Sequence, residues 1–130
     1  MDVKNKRVVV TGAASGIGKA LCEAFHEADA QSIVAVDMNL DGALETADSV
    51  NGIAVQANVG NEKDIINVIK QADEHAGGTD IFCSNAGIGG VPGFFEVEAS
   101  DWQNIWDVNV QSHIFAAKHV LPQMIERGEG

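Results

Sequence analysis

Val8-Val9-Val10-Thr11-Gly12-Ala13-Ala14-Ser15-Gly16-Ile17-Gly18 decides how this chain is read. A short apolar, β-branched run leads into a glycine-spaced turn, and the turn opens an amphipathic helix. Such a junction presents backbone N–H groups and the positive end of a helix to a phosphate. Glycines serve the tight turn, let a pyrophosphate approach the backbone, and let the helix seat close against the strand. The stretch therefore reads as a dinucleotide site built on Gly12, Ser15, Gly16, Ile17 and Gly18.

Outward from this turn, two periodicities alternate. Arg7–Val10, Ser32–Val36, Ile53–Ala57 and Ile81–Ser84 are short apolar or β-branched runs, as parallel strands covered on both faces require. Between them lie helical patterns. Ile17, Ala20, Leu21, Ala24, Phe25 and Ala28 share one predicted face; Ile65, Val68, Ile69, Ala72 and Ala76 share another, in a segment opened by Asn61. A weaker helix is predicted over Leu40–Ser49, and a long one from about Asp101 towards Arg127. Ser100-Asp101-Trp102-Gln103 reads as its capping box, Pro122 as a kink or loosening, and Gly128 as its terminator. The order βαβαβαβα predicts one open α/β layer sandwich with right-handed crossovers.

Asp37 closes the second strand, where a carboxylate accepts hydrogen bonds from an adenosine ribose. Its charge repels a 2′-phosphate, and no Arg or Lys stands at Ser15, Met38 or Asn39 to attract one, so NAD is expected over NADP. The plainer alternative is a solvated strand-end aspartate.

With 130 residues, 45% of them hydrophobic, the chain suits one globular domain with a core. Its net charge of −11 disfavours nucleic acid and anionic membrane surfaces as partners. No apolar run is long enough for a membrane span, and the N-terminus is too polar for a signal peptide, so a cytoplasmic location is expected. Cys22 and Cys83 read as buried reduced thiols rather than a disulfide, and the histidines lack metal-ligand spacing, so no metal is assigned.

Thr11-Gly12-Ala13-Ala14-Ser15-Gly16-Ile17-Gly18 resembles the TGxxxGIG loop of the short-chain dehydrogenase/reductase family. Ser84-Asn85-Ala86-Gly87 is similar to that family's NNAG motif, and Asn109 in Asp107-Val108-Asn109-Val110 matches its helix asparagine. Asn58-Val59 takes the place of an Asp-Val pair whose carboxylate accepts from the adenine amino group. The resemblance implies a Rossmann-type sheet of order 3-2-1-4, with Ile81–Ser84 at an edge. It also implies that residues 1–130 form a single dinucleotide-binding domain, incomplete relative to the family and truncated after the helix that follows the fourth strand. Asn58, Val59, Asn85, Ala86 and Gly87 are then cofactor contacts, and Asn109 supports a proton relay. The family's catalytic serine and Tyr-x-x-x-Lys pair would lie beyond Gly130, and the composition contains no tyrosine.

Bland alternatives stand beside these roles. A buried Asn109 satisfied by backbone groups is a common arrangement, Asn85 ties strands together as readily as it touches a cofactor, and Gly87–Gly93 is either a substrate-side wall or a simple connection. Trp102 and Trp106 read as core or interface anchors. The expected function is the NAD-binding portion of an oxidoreductase interconverting a secondary alcohol and a ketone, small molecules both, in a homo-oligomer. A non-catalytic NAD or ADP-ribose module and a self-associating fragment without ligand are the other classes open to this sequence.

Overall fold

The computed structural model describes residues 2–90, 93 and 95–130. The elements are β1 (Arg7–Thr11), α1 (Gly16–Glu27), β2 (Ser32–Asp37), α2 (Leu40–Ser49), β3 (Ile53–Gln56), α3 (Glu62–Ala76), β4 (Ile81–Cys83), α4 (Ala99–Trp106) and α5 (Ser112–Arg127). A π-helical segment, Asp107–Gln111, joins the last two. The strands form one parallel sheet in the order β3-β2-β1-β4, with Val9 opposite Val34 on one side and Phe82 on the other. This is the Rossmann-type arrangement that the sequence implies.

Side-chain alternation along β1 divides the core. Val8 and Val10 pack with Cys22, Ile33, Ala47 and Val50 on one face, whereas Val9 packs with Val34, Val36, Val68 and Ala72 on the other. A third cluster, Val59, Ile65, Ile69, Val108 and Val120, joins α3 to the rod that carries α5. Each fully buried valine contributes about 1.5–3 kcal/mol, so β1 and β2 hold the sheet together. Glu62 at the start of α3 also accepts from Lys118 Nζ (2.7 Å) and sits 2.8 Å from His119 Nε2, which pins α3 to α5 and lowers the Glu62 pKa.

Several local expectations need correction. β1 and β2 each extend one residue further, to Thr11 and Asp37, while β3 and β4 stop one residue earlier. On α1 the covered side is Gly18, Leu21, Cys22 and Phe25; Ile17, Ala20, Ala24 and Ala28 face solvent. The close approach of Gly18 to the turn fixes that rotation, because a Cβ there would lie 2.0 Å from the Gly12 carbonyl oxygen. The last helical rod begins at Ala99 with Glu98 as N-cap, not at Ser100. Asp101, rather than Gln103, closes the capping box by accepting the Glu98 N–H at 2.9 Å. The helix continues past Pro122 and ends at Gly128, whose left-handed φ of 70° permits the closing bond from Glu129 N–H to the Met124 carbonyl. Trp102 and Trp106 are about half exposed and belong to none of the core clusters. Cys22 is fully buried but Cys83 only half, and both are free thiols. Burial pushes the Cys22 thiol up to about 11, so it is a poor nucleophile.

Candidate functional site

The carboxyl ends of β1, β2 and β4 converge on the glycine turn, where open α/β sheets bind ligands. Thr11 organises the junction. Its buried hydroxyl accepts the N–H groups of Asn85 (2.9 Å) and Ala86 (3.0 Å) and donates to the Cys83 carbonyl (3.3 Å). The Asn85 side-chain amide donates to the Thr11 carbonyl at 2.9 Å. Asn85 thus does tie strands together, and in doing so it holds Ala86 against the turn. A Cβ on Gly12 would sit 3.0 Å from both the Ala86 Cα and the Asn85 amide nitrogen, so glycine is required by contact and by its φ of 72°.

Gly16 differs in one respect. Its φ is +54°, yet nothing lies within 4 Å of where its Cβ would point, so the turn opens onto free space there. The first turn of α1 also differs from those of α2 and α3. Asn39 caps α2 by accepting from Gly42 N–H, Asn61 caps α3 by accepting from Lys63 N–H, and both helices carry acidic residues in their first turns. Ser15 makes no side-chain cap on α1, whose first turn contains no acid. The partial positive charge of this helix end is left uncompensated, facing the opening.

Asp37 is engaged. One carboxylate oxygen accepts the Ala14 N–H at 3.0 Å and the other the Asn39 N–H at 2.9 Å. The residue therefore anchors the turn to the end of β2 while each oxygen keeps further acceptor capacity. Asn58 is fixed by Asx-turn bonding, its side-chain oxygen accepting the Gly60 N–H at 3.0 Å and its N–H donating to Asp64 at 2.9 Å. Val59 is buried and belongs to the third core cluster, so its contribution to the opening is a wall.

These residues line two adjoining hollows. One, of about 310 Å³, is bounded by Gly12, Ser15, Gly16, Ile17, Gly18, Asp37 and Asn85–Gly87. The other, of about 130 Å³, lies between Asp37, Met38, Ala57, Asn58, Val59, Ala86, Gly87, Ile88 and Val108. Gly12, Asp37, Ala86 and Gly87 belong to both, so the fold gathers every proposed cofactor contact at one end of the sheet. Asn109 approaches from the far side, where its amide oxygen accepts the Ile88 N–H and its NH₂ donates to the Ile88 carbonyl, each at 2.8 Å. Asn109 is thus satisfied by backbone groups, as the plainer alternative expects, but it is only partly buried rather than buried. Its position in the middle of the π-helical segment was not foreseen, since one widened turn leaves no mark on a periodicity of 3.6. Thr11, Met38 and Ile88 were also not singled out as site residues; their work is done through hydroxyl bonding, wall area and backbone groups. Gly93 is described, but Val91 and Pro92 of the predicted substrate-side wall lie outside the described residues.

Among the described residues no group of His, Cys, Asp and Glu is placed to hold a metal ion, and no helix is long and apolar enough to cross a membrane.

Comparison with known proteins agrees with this geometry. Glucose 1-dehydrogenase 2 of Bacillus subtilis (strain 168) is 34% identical over 131 residues, covering 96% of this chain and 51% of its own length. L-rhamnose 1-dehydrogenase (NADP(+)) of Thermoplasma acidophilum is 30% identical, covering 97% and 52%. The crystal structure of a short-chain type dehydrogenase/reductase from Mycobacterium marinum superposes with a TM-score of 0.89 at 29% identity, over 99% of this chain and 54% of that one. The chain spans about half the length of these relatives. Residues 6–130 match the short chain dehydrogenase family, and the chain belongs to it.

Proposed function

We propose that this chain is the NAD-binding portion of a short-chain oxidoreductase that interconverts a secondary alcohol and a ketone. The observation that carries the reading is the uncapped N-terminus of α1 opening at Gly16 beside Asp37. The residues fit a dinucleotide. Gly12, Ser15, Gly16, Ile17 and Gly18 offer a pyrophosphate backbone N–H groups without side-chain obstruction. Asp37 takes the adenosine ribose hydroxyls with its spare lone pairs and repels a 2′-phosphate. Asn58 and Val59 flank the base, and Asn85, Ala86 and Gly87 line the second ribose. When bound, the nicotinamide ring supplies the hydride-exchanging carbon. Asn109 holds Ile88 by both backbone groups and so positions the 85–88 loop; a relay role in the catalysis of a complete family member is what the resemblance implies.

Calorimetric titration of NAD and NADP against the wild type and Asp37→Ala tests the reading. The mutation loosens the turn for both ligands alike, but only loss of the charge narrows the gap between them. Tighter binding of NADP by the wild type overturns the NAD assignment. The 130-residue polypeptide, which contains no tyrosine, is expected to bind ADP-ribose about as well as NAD without hydride transfer above background.

We also infer self-association. Ile114, Leu121 and Ile125 form an exposed stripe at helical spacing on α5, Trp102 and Trp106 are half exposed on α4, and β4 is a sheet edge with an apolar Ile-Phe-Cys sequence.

A further inference from the structure

We propose that Asn58 makes the base-binding end of the cleft tolerant of a 6-oxopurine, so that a dinucleotide carrying hypoxanthine in place of adenine is bound almost as well as NAD. The proposal rests on the dinucleotide reading above and names the base selectivity of that same site.

The geometry at Asn58 leaves one orientation of its amide. The Gly60 N–H lies 3.0 Å from the side chain and can only donate, so the amide oxygen must face it. The remaining polar group is the NH₂, a donor, and it makes no hydrogen bond among the described residues. Asn58 is exposed and lines both the slot beside Asp37 and a neighbouring hollow of about 290 Å³ shared with Met38, Gln56 and Asp64. The cleft therefore ends in a neutral donor at this position.

An aspartate in the same rotamer would bond Gly60 with one oxygen and present the other as a charged acceptor. Such an acceptor attracts the 6-amino group of adenine and repels the 6-oxo group of hypoxanthine. An amide NH₂ does neither. It donates to N1 or N7 of adenine, or to N7 or the 6-oxygen of hypoxanthine, whose N1 carries a proton and does not accept, each at similar cost. The neighbouring carboxylates are placed otherwise: Asp37, which accepts the Ala14 and Asn39 N–H groups, keeps its spare lone pairs for the ribose hydroxyls, and one oxygen of Asp64 accepts the Asn58 N–H. The free oxygen of Asp64 and the amide oxygens of Gln56 and Asn67 are competing acceptors beside this hollow; the charged one, on Asp64, is the strongest and is the one the experiment separates.

The test is the ratio of affinities for NAD and nicotinamide hypoxanthine dinucleotide, measured by calorimetry on the full chain, its Asn58→Asp variant and its Asp64→Asn variant. The wild type is expected to separate the two ligands by less than about threefold, the scale of a weak net hydrogen bond. Asn58→Asp is expected to raise the preference for NAD to roughly tenfold, mainly by weakening the hypoxanthine ligand. A wild-type preference for NAD above about threefold overturns the proposal whatever the variants do, and its disappearance in Asp64→Asn identifies Asp64 as the reader instead. An Asn58→Asp ratio equal to that of the wild type, in a variant with an unchanged thermal melt, overturns it as well. If neither dinucleotide binds saturably, the dinucleotide reading fails and this proposal with it; if NAD binds but the ratios disagree, only the role of Asn58 fails.

Discussion

The two ends of the sheet use polar residues in opposite ways. At the amino end, Asp80 is 4% exposed and is gripped by Arg7 through Nε (2.8 Å), Nη2 (2.5 Å) and backbone N–H (3.0 Å). Arg127, from the end of α5, adds bonds to the Thr79 carbonyl (2.6 Å) and to Asp80 (3.3 Å), while Arg7 also donates to the Gly77 carbonyl and Lys6 pairs with Glu129. A hollow of about 540 Å³ lies there, larger than either at the other end, but the charged groups around it are largely paired with one another. At the carboxyl end, Asp37, Asn58, Asn85 and Asn109 bond to backbone groups instead. Charged side chains paired with one another leave little for a ligand even around a large hollow; side chains that bond only to backbone at the carboxyl end leave helix and loop N–H groups facing outward. Hollow size alone favours the amino end, whereas the proposed dinucleotide site is at the carboxyl end.

Removing Asp80 is the strongest way to break this contrast. Asp80→Ala leaves Arg7 and Arg127 without their shared partner in a partly buried setting and is expected to cost roughly 2–4 kcal/mol of stability by denaturant unfolding. NAD affinity of the folded fraction should be unchanged. A variant that unfolds normally but loses NAD would mean that the two ends are coupled.

Asp37→Ala is the converse. The loss of NAD affinity is expected to be tenfold to a hundredfold, about 1.5–3 kcal/mol for a charge-assisted hydrogen bond, with a smaller loss for NADP. Gly18→Ala probes the same end through sterics: its Cβ would sit 2.0 Å from the Gly12 oxygen, so α1 must move. A destabilisation of about 1–3 kcal/mol is expected, with weakened NAD binding. A thermal melt and a titration on the same preparation check both effects.

Acid gives a gentler probe of the amino end. Hydrogen bonding from Arg7 holds the Asp80 carboxyl at about 2, below its usual 3.8. A depressed carboxyl pKa contributes stability that is present above the unfolded value and lost as pH falls through the folded one. Unfolding free energy should therefore decline between about pH 4 and pH 2 by on the order of 1–2 kcal/mol on account of this group, and Asp80→Asn should remove that part of the slope. The smallest effect expected is on association: light scattering over a concentration series should show growth above the monomer mass, reduced by Leu121→Lys on the exposed stripe. A monodisperse monomer at high concentration would contradict the inferred self-association.

Much of this protein was legible locally. The Asn61 cap and the Gly128 terminator rest on interactions between residues close in sequence; the Val8–Gly18 junction and the Ile65–Ala72 face are completed by distant residues but show in local composition and spacing. The covered face of α1 was misread because the spacing of apolar residues does not fix the rotation of the helix about its axis, which the close approach of Gly18 to the Gly12 carbonyl does. The start of α4 was misread because glutamate is not a favoured cap residue, whereas the helix begins after Glu98, whose N–H is accepted by Asp101.

The sequence by itself determined that a glycine-spaced turn joins an apolar strand to a helix, that the strands are parallel, and that an acid closes the second strand. Those properties follow from backbone sterics and from period-two and period-3.6 burial. Only the tertiary structure decided what those groups are free to do. Asp37 braces the turn, Asn109 sits on a widened turn and clamps Ile88, and the Asn58 amide must present its donor outward. The partners of Asp37 at Ala14 and of Asn109 at Ile88 lie far along the chain, and only packing brings them within about 3 Å, which spacing along the chain does not encode. Asn58 is oriented by its near neighbour Gly60, and what packing decides there is its place at the end of the cleft.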